Sequence, residues 1–216
     1  MKLPVCAIFL ALLPGVSLAA STSGSVSVQQ GNIVYVAPGG ATEVLTESGV
    51  DDAPVLSPDG ALVAFTRLTR DVDEAHDSPA VRDLWVIRLN DHRATRVVIG
   101  KPEGNEKPEQ VLADADSPRF SPDSSIVYFL TAASTASAAV HSVRAIGGGQ
   151  RFVTLGNAFA VVQQGKYKGA LLVEQHRDMN DQMPWDPEVL VSSTGTKIKV
   201  VGEDANALQK IEAERK

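Results

Sequence analysis

Short apolar runs separated by turn-forming residues follow one another along most of the chain. Residues 62–65 (LVAF) and 126–129 (IVYF) are two such runs, and residues 83–89 (DLWVIRL) form a longer one. Valine, isoleucine and aromatic residues favour pleated structure, and runs of four to eight residues bounded by Gly, Pro, Asp or Asn are typical of β-strands. The pattern therefore predicts an all-β chain of short strands.

The chain also repeats itself at an offset of 64 residues. The segment DAPVLSPDG at 52–60 lies over DSPRFSPDS at 116–124, and the apolar runs that follow continue the match. In each copy a short strand leads into a turn, and an apolar strand comes next. A repeat of this kind indicates one supersecondary unit that is used more than once.

The turn inside the repeat has a clear chemical basis. Pro58 fixes φ at the second position of the turn, and the side chain of Asp59 bonds to nearby backbone amides. Gly60 supplies the positive φ that the turn requires. Ser124 replaces this glycine in the second copy, which predicts either mild strain or a different type of turn there.

Two further strands follow the matched pair, so that each repeat holds four strands. They are 83–89 and 94–99 in the first copy, and 140–145 and 151–155 in the second copy. The other predicted strands are 159–163, 170–175, 189–192 and 197–201 in a diverged third copy, and 32–37 and 42–46 in an N-terminal half copy.

Four antiparallel strands per repeat are typical of a propeller blade. Complete propellers have four to eight blades, whereas this chain holds about three and a half. The predicted fold class is therefore all-β, with antiparallel four-stranded propeller-type blades in an incomplete or open propeller. An open arc leaves sheet edges unpaired, and such edges invite pairing with another chain.

The repeat resembles that of a known family. Residues 57–60 (SPDG), the strand that follows, and residues 83–86 (DLWV) are similar to the TolB-like, WD-repeat-like propeller repeat. The same repeat occurs in the N-terminal propellers of prolyl oligopeptidase-type enzymes. The resemblance covers residues 31–155 and, more weakly, 157–202, and it implies a blade fold without naming a ligand.

The first twenty residues have the pattern of a secretory signal peptide. Lys2 gives a positive start, residues 5–13 are almost entirely apolar, and Ser17-Leu18-Ala19 places small residues before a cleavage site. The apolar run is too short to span a bilayer, which takes about 20 residues. We expect cleavage after Ala19 or Ala20, a periplasmic location with secretion as the alternative, and no transmembrane segment afterwards.

The predicted domain boundaries follow from these patterns. Residues 1–20 are the signal peptide, 21–30 a flexible N-terminal segment, 31–202 the propeller-repeat domain and 203–216 a charged C-terminal tail. The tail is rich in helix formers, so it is either a short helix or a frayed end. The one cysteine, Cys6, lies within the signal peptide, so the mature chain has no disulfide.

The charge of the chain excludes some partners. The net charge is −6, and no stripe of Lys and Arg is visible. Binding to nucleic acid needs clustered cations against phosphate, and anionic membrane surfaces attract the same kind of cluster. We therefore expect neither nucleic acid nor an anionic membrane surface as a partner.

Two long connections carry candidate site residues. The first is an acidic loop whose oxygen-rich side chains suit Ca²⁺ and whose histidine suits a transition metal, although a solvated acidic loop without any metal is the alternative. Its candidate ligands are Asp71, Asp73, Glu74, His76 and Asp77.

The second connection carries side chains that are enriched at protein interfaces. Its candidate partner-binding residues are His176, Met179, Met183 and Trp185. The same tryptophan could instead pack under the blade as part of the core. Both interpretations stay open at the level of sequence.

A catalytic motif is not found in the sequence. There is no G-x-S-x-G elbow, no H-E-x-x-H pair and no phosphate-binding glycine loop. The main hypothesis is a non-catalytic periplasmic module, without a cofactor, that binds a protein or peptide of the cell envelope through loops or open sheet edges. Those edges would also permit a homo-oligomer. The alternative hypotheses are a metal- or small-ligand-binding protein that uses loop 71–77, and a hydrolase.

Overall fold

The described chain folds as four antiparallel β-sheets that follow one another in sequence order. A computed structural model describes residues 24–72, 80–101, 107, 110–133, 138–176 and 185–215. The first sheet contains β1 (Ser25–Gln29), β2 (Asn32–Val36) and β3 (Thr42–Val44).

The other three sheets have four strands each, and in each sheet the spatial order follows the order along the chain. The second sheet contains β4 (Asp51–Leu56), β5 (Leu62–Arg70), β6 (Val81–Arg88) and β7 (Arg93–Val98). The third contains β8 (Asp116–Phe120), β9 (Ile126–Ala132), β10 (Ala138–Arg144) and β11 (Arg151–Leu155). The fourth contains β12 (Ala158–Val161), β13 (Leu171–Glu174), β14 (Glu188–Val191) and β15 (Lys197–Gly202), and helix α1 (Ala207–Ala213) follows it.

The 64-residue repeat is confirmed by the strand register. Leu56 pairs with Val63, and Phe120, which lies 64 positions after Leu56, pairs with Val127. A β-bulge interrupts both pairs of strands at the same place, and the non-glycine residues at positive φ inside the two bulges are also equivalent. They are Ala53 at 49° and Ser117 at 50°.

Apolar side chains fill the spaces between neighbouring sheets. Ile33 and Phe65 belong to the core between the first and second sheets. Leu84 and Phe129 belong to the core between the second and third. Full burial of side chains of this size stabilises the fold by about 1.5–3 kcal/mol each. The stacking of neighbouring sheets therefore contributes to the stability of the molecule.

The C-terminal tail is a short helix that covers the outer face of the fourth sheet. Ile211 on α1 is 2% exposed and packs with Leu190 and Val201 of that sheet. The Lys166 N–H donates to the Glu214 carbonyl at 2.9 Å, which ties the helix end to the turn before β13. The helix therefore lies where a further blade would otherwise stack.

The four sheets form an open arc. Within the part of the chain that the structure describes, substantial contacts run from each sheet to the next one in sequence, and the first and last sheets share none of comparable size. No helix in that part is long and apolar enough to cross a bilayer.

The N-terminal boundary differs from the sequence-based expectation. Residues 25–29, which we expected within a flexible segment, form β1 and pair along their whole length with β2. The alternation Ser-Val-Ser-Val has the period of a strand, and Val26 packs into the core against the second sheet. The first blade therefore has three strands rather than two. The signal peptide lies outside the described residues and stays a prediction.

Candidate binding cleft

The topology gives the arc two different sides. We call the side that carries the turns after the first and third strands of each four-stranded sheet the turn side. We call the opposite side, where the second-to-third connections and the links between sheets lie, the loop side. The candidate loops of the sequence belong to the loop side, because one follows β5 and the other follows β13.

On the turn side, serine and aspartate side chains hold each Ser-Pro-Asp turn together. The Ser57 hydroxyl donates to the Asp59 carboxylate at 2.5 Å and accepts the Leu62 N–H at 2.9 Å. The third sheet repeats this arrangement, with 2.5 Å between the Ser121 hydroxyl and Asp123. These hydrogen bonds lower the pKa of both aspartates. The serine hydroxyl protons are thus used in hydrogen bonds within their own turns.

The Ser124 turn has the same geometry as the glycine-containing one. Its φ is 62°, against 70° at Gly60, and in each turn the N–H at this position donates to the serine carbonyl at 2.9 Å. The sequence left open mild strain or a different type of turn at Ser124. Mild strain is correct, because the turn is of the same type and an L-residue at this φ is mildly strained. Its hydroxyl accepts the Asp59 N–H at 3.3 Å, which joins the turns of neighbouring sheets.

A cleft of about 610 Å³ opens on the turn side between the third and fourth sheets. Its apolar lining combines buried and exposed side chains. Tyr128 and Ala170 are 3% and 6% exposed, whereas Ile198 is 44% exposed. A concave, partly apolar surface with a few polar groups is the usual form of a binding site.

The charged side chains that line the cleft are two lysines and one aspartate. Lys166 and Lys168 are exposed, and among the described residues neither forms an ion pair. The Lys166 ammonium lies 5.0 Å from the centre of the Tyr167 ring. The Asp123 carboxylate is already bonded to two serine hydroxyls. The cleft therefore offers net positive charge in a chain whose net charge is −6.

The groups in the cleft suit binding. The Tyr128 phenol is neutral near pH 7, as a tyrosine ordinarily is, and burial raises its pKa further, so it can donate a hydrogen bond. Histidine is not among the residues that line the cleft. The Ser121 hydroxyl donates to the Asp123 carboxylate at 2.5 Å, so its proton is held within the turn.

A second cavity, of about 540 Å³, lies at the centre of the arc. Leu56, Phe120 and Val161 line it from the innermost strands of three sheets, and Leu208 lines it from α1. The only charged residue that lines it is Arg119, whose guanidinium donates to the Pro118 carbonyl at 2.8 Å. Apolar side chains therefore form most of the lining of this cavity.

Only one candidate ligand of the acidic loop is described. Asp71 follows β5, is exposed, and accepts the Val72 N–H at 2.8 Å. Asp73, Glu74, His76 and Asp77 lie outside the described residues. Metal binding by this loop stays a prediction.

The second candidate loop is described only at its two ends. The His176 ring nitrogen Nδ1 lies 2.6 Å from an Asp186 carboxylate oxygen, so the two ends of the loop meet. Trp185 beside it is half-buried, which is intermediate between the contact surface and the core packing that we expected as alternatives. Met179 and Met183 lie outside the described residues.

Sequence reasoning did not find the cleft. Its residues come from four separate segments, which include the turn at 166–169 and the turn at 192–193. The turns themselves were predicted, but a lysine in a hairpin turn is an ordinary solvated residue. Only the stacking of the third and fourth sheets brings Tyr128 near Lys168 and Ile198.

Comparisons with known proteins find similarity in fold alone. No family model matches the sequence, and no curated protein matches it. Dipeptidyl peptidase 4 of Porphyromonas gingivalis superposes with a TM-score of 0.59 at 11% identity, over 86% of this chain and 32% of that one. The β-propeller domain of the Trilobed protease from Pyrococcus furiosus, which has an open velcro topology, superposes with a TM-score of 0.51 at 14% identity, over 80% and 49%.

A TolB protein is among the similar structures as well. The putative TolB of Agrobacterium tumefaciens matches with a TM-score of 0.47 at 16% identity, over 78% of this chain and 55% of that one. The chain spans between about a third and about half of these three solved chains. The propeller prediction is confirmed: the chain is built from β-propeller blades.

Proposed function

We propose that this chain is a non-catalytic binding module of the cell envelope that holds a peptide or protein segment in the cleft between its third and fourth sheets. The fold alone does not decide between binding and catalysis, because propellers occur in peptidases as well as in TolB proteins. The proposal therefore depends on the site.

One observation carries the proposal. The cleft joins an apolar surface at Tyr128 and Ile198 to two lysines that have no ion-pair partner in the described chain. An apolar side chain next to a carboxylate would satisfy both features. The ligand class that fits is therefore a peptide with an apolar residue at its C-terminus.

The test uses the mature chain and the tripeptide acetyl-Ala-Ala-Leu, with either a free carboxylate or an amide at its end. We expect calorimetry to show at least tenfold tighter binding of the carboxylate form. We also expect replacement of both Lys166 and Lys168 by alanine to abolish that difference, because the cations that recognise the carboxylate are then gone.

Lys101→Ala is the matched control, because Lys101 is an exposed lysine at the link between the second and third sheets, on the loop side. We expect it to leave both affinities unchanged. Equal binding of the two peptides, or equal loss of binding in the control, would rule out the cleft as a carboxylate site. The same experiment decides against the proposal if neither peptide binds at millimolar concentration.

A further inference from the structure

The first sheet has three strands, and its contact with the second sheet shows which strand it lacks. A hydrogen bond between the first two sheets shows which strand of a complete blade β1 corresponds to. The Asp51 N–H, at the start of β4, donates to the Gly31 carbonyl in the turn between β1 and β2 at 2.8 Å. Innermost strands begin on the loop side, so this turn lies on the loop side, as a second-to-third connection must. β1 is therefore a second strand, and the described first sheet has no innermost strand beside it.

The exposure of β1 agrees with this assignment. Four of its five residues are exposed, and Val28 is 37% exposed. Its counterparts β5, β9 and β13 are largely buried, because each has a neighbouring strand on both sides. Among the described residues no strand pairs with the inner edge of β1, and the backbone groups of such an edge favour the addition of a strand.

We propose that an extended segment of a partner protein pairs antiparallel with β1 and completes the first sheet as its innermost strand. This proposal is independent of the cleft between the third and fourth sheets. The pairs β4–β5 and β8–β9 supply the template for its direction and register. Backbone hydrogen bonds would give affinity, and alternate side chains would give specificity.

The surroundings of β1 define the chemistry of that segment. Val26 and Val28 lie on the face of β1 that points toward the second sheet, since they pair with Tyr35 and Ile33 and Val26 packs in that core. The donated strand would therefore present an apolar residue on this face. A charge there would be buried without a partner, which is costly.

The position of the edge favours a single strand over a second copy of the whole sheet. β1 lies beside β4, the innermost strand of the second sheet, near the centre of the arc. Pairing of two copies through β1 would force a second complete sheet into the same central space.

The test uses the mature chain and the peptide NAFAVVQ, capped at both ends, which copies the innermost-strand segment at residues 157–163. We expect the peptide to slow hydrogen exchange of the amides at 25–29 at least tenfold. A peptide with proline in place of the second alanine should have no effect, because it lacks a ladder N–H.

Two protein variants complete the design. Val28→Asp places a charge where the donated strand packs, and we expect it to weaken peptide binding at least tenfold. Val44→Asp makes the same change at a 59% exposed valine on the opposite edge of the sheet, and we expect it to leave binding unchanged. Circular dichroism checks that both variants are folded.

Three results would overturn the proposal. The first is strong protection of residues 25–29 without any peptide, which means that the chain covers this edge itself. The second is a dimer that forms through the same residues as concentration rises. The third is equal protection by the proline peptide. Replacement of Lys166 and Lys168 should not affect this assay, so its failure is separate from failure of the cleft.

Discussion

His141 is fully buried in β10, between two aromatic rings. Its ring is stacked on Phe129 with 5.6 Å between centroids and meets Phe152 edge-on at 5.7 Å. Neither ring nitrogen has a hydrogen-bond partner within the described residues. Burial alone lowers the pKa of His141 to about 4, so the side chain acts as a neutral aromatic residue of the core.

This burial predicts a loss of stability in mild acid. The pKa of an unfolded histidine is about 6.5, so the unfolded chain takes up a proton first as pH falls toward 4. We expect the free energy of unfolding to drop by about 2 kcal/mol between pH 7 and pH 5 from this residue. Urea unfolding of the natural chain and of His141→Phe at both pH values measures the effect.

The substitution should remove most of that pH dependence. His92→Gln is the control, because His92 is 54% exposed and lies 3.2 Å from the Glu43 carboxylate at the surface. If the natural chain and His141→Phe lost the same stability on acidification, His141 would not be the source. The full burial of His141 makes it a structural residue of the core.

At the scale of the elements, α1 matters because it covers the last sheet. Its amphipathic character follows from Ala207 and Ile211, four residues apart, which are both buried. The helix has only seven residues, so it owes its stability to packing rather than to its own propensity. The sheet beneath it supplies Leu190, which is fully buried.

We therefore expect Ile211→Ala to lower the free energy of unfolding by about 2–4 kcal/mol. The reason is that the side chain leaves a cavity against Leu190 and Val201. Gln209→Ala is the matched control on the exposed side of the helix, and it should change stability by less than about 0.5 kcal/mol. Chemical denaturation of both variants measures the difference, and equal stabilities would show that the helix does not seal the sheet.

At the scale of the whole molecule, the two ends of the arc differ. The outer face of the fourth sheet is covered by α1, whereas the first sheet ends at an exposed strand, β1. This asymmetry fits a chain that meets a partner through its N-terminal sheet.

The predicted signal peptide belongs to this scale too, because its cleavage decides where the mature chain that meets the partner begins. We expect the mature protein to begin at Ala20 or Ser21, and to be recovered from the periplasmic fraction of a bacterial host. N-terminal sequencing of the purified protein checks the cleavage site. Recovery of a chain that still begins at Met1 in the cytoplasm would contradict it.

The sequence by itself determined the blades. Strand spacing, the turn at Pro58 and the 64-residue offset are local properties, so they predicted the strands of the second and third sheets, although β5 and β9 run five and three residues past their predicted ends. β1 was missed because its alternation is short and its apolar residues are only valines. The local pattern was present, but few residues carried it.

Only the tertiary structure decided where the binding cleft, the open sheet edge and the covered sheet face lie. The cleft exists because the third and fourth sheets stack, with Tyr128 on one and Lys168 and Ile198 on the other, and no spacing along the chain encodes that. The open edge at β1 and the cover at α1 likewise depend on which neighbour each sheet has. Strands form from local pattern, whereas binding surfaces form where distant strands leave space or backbone groups unpaired.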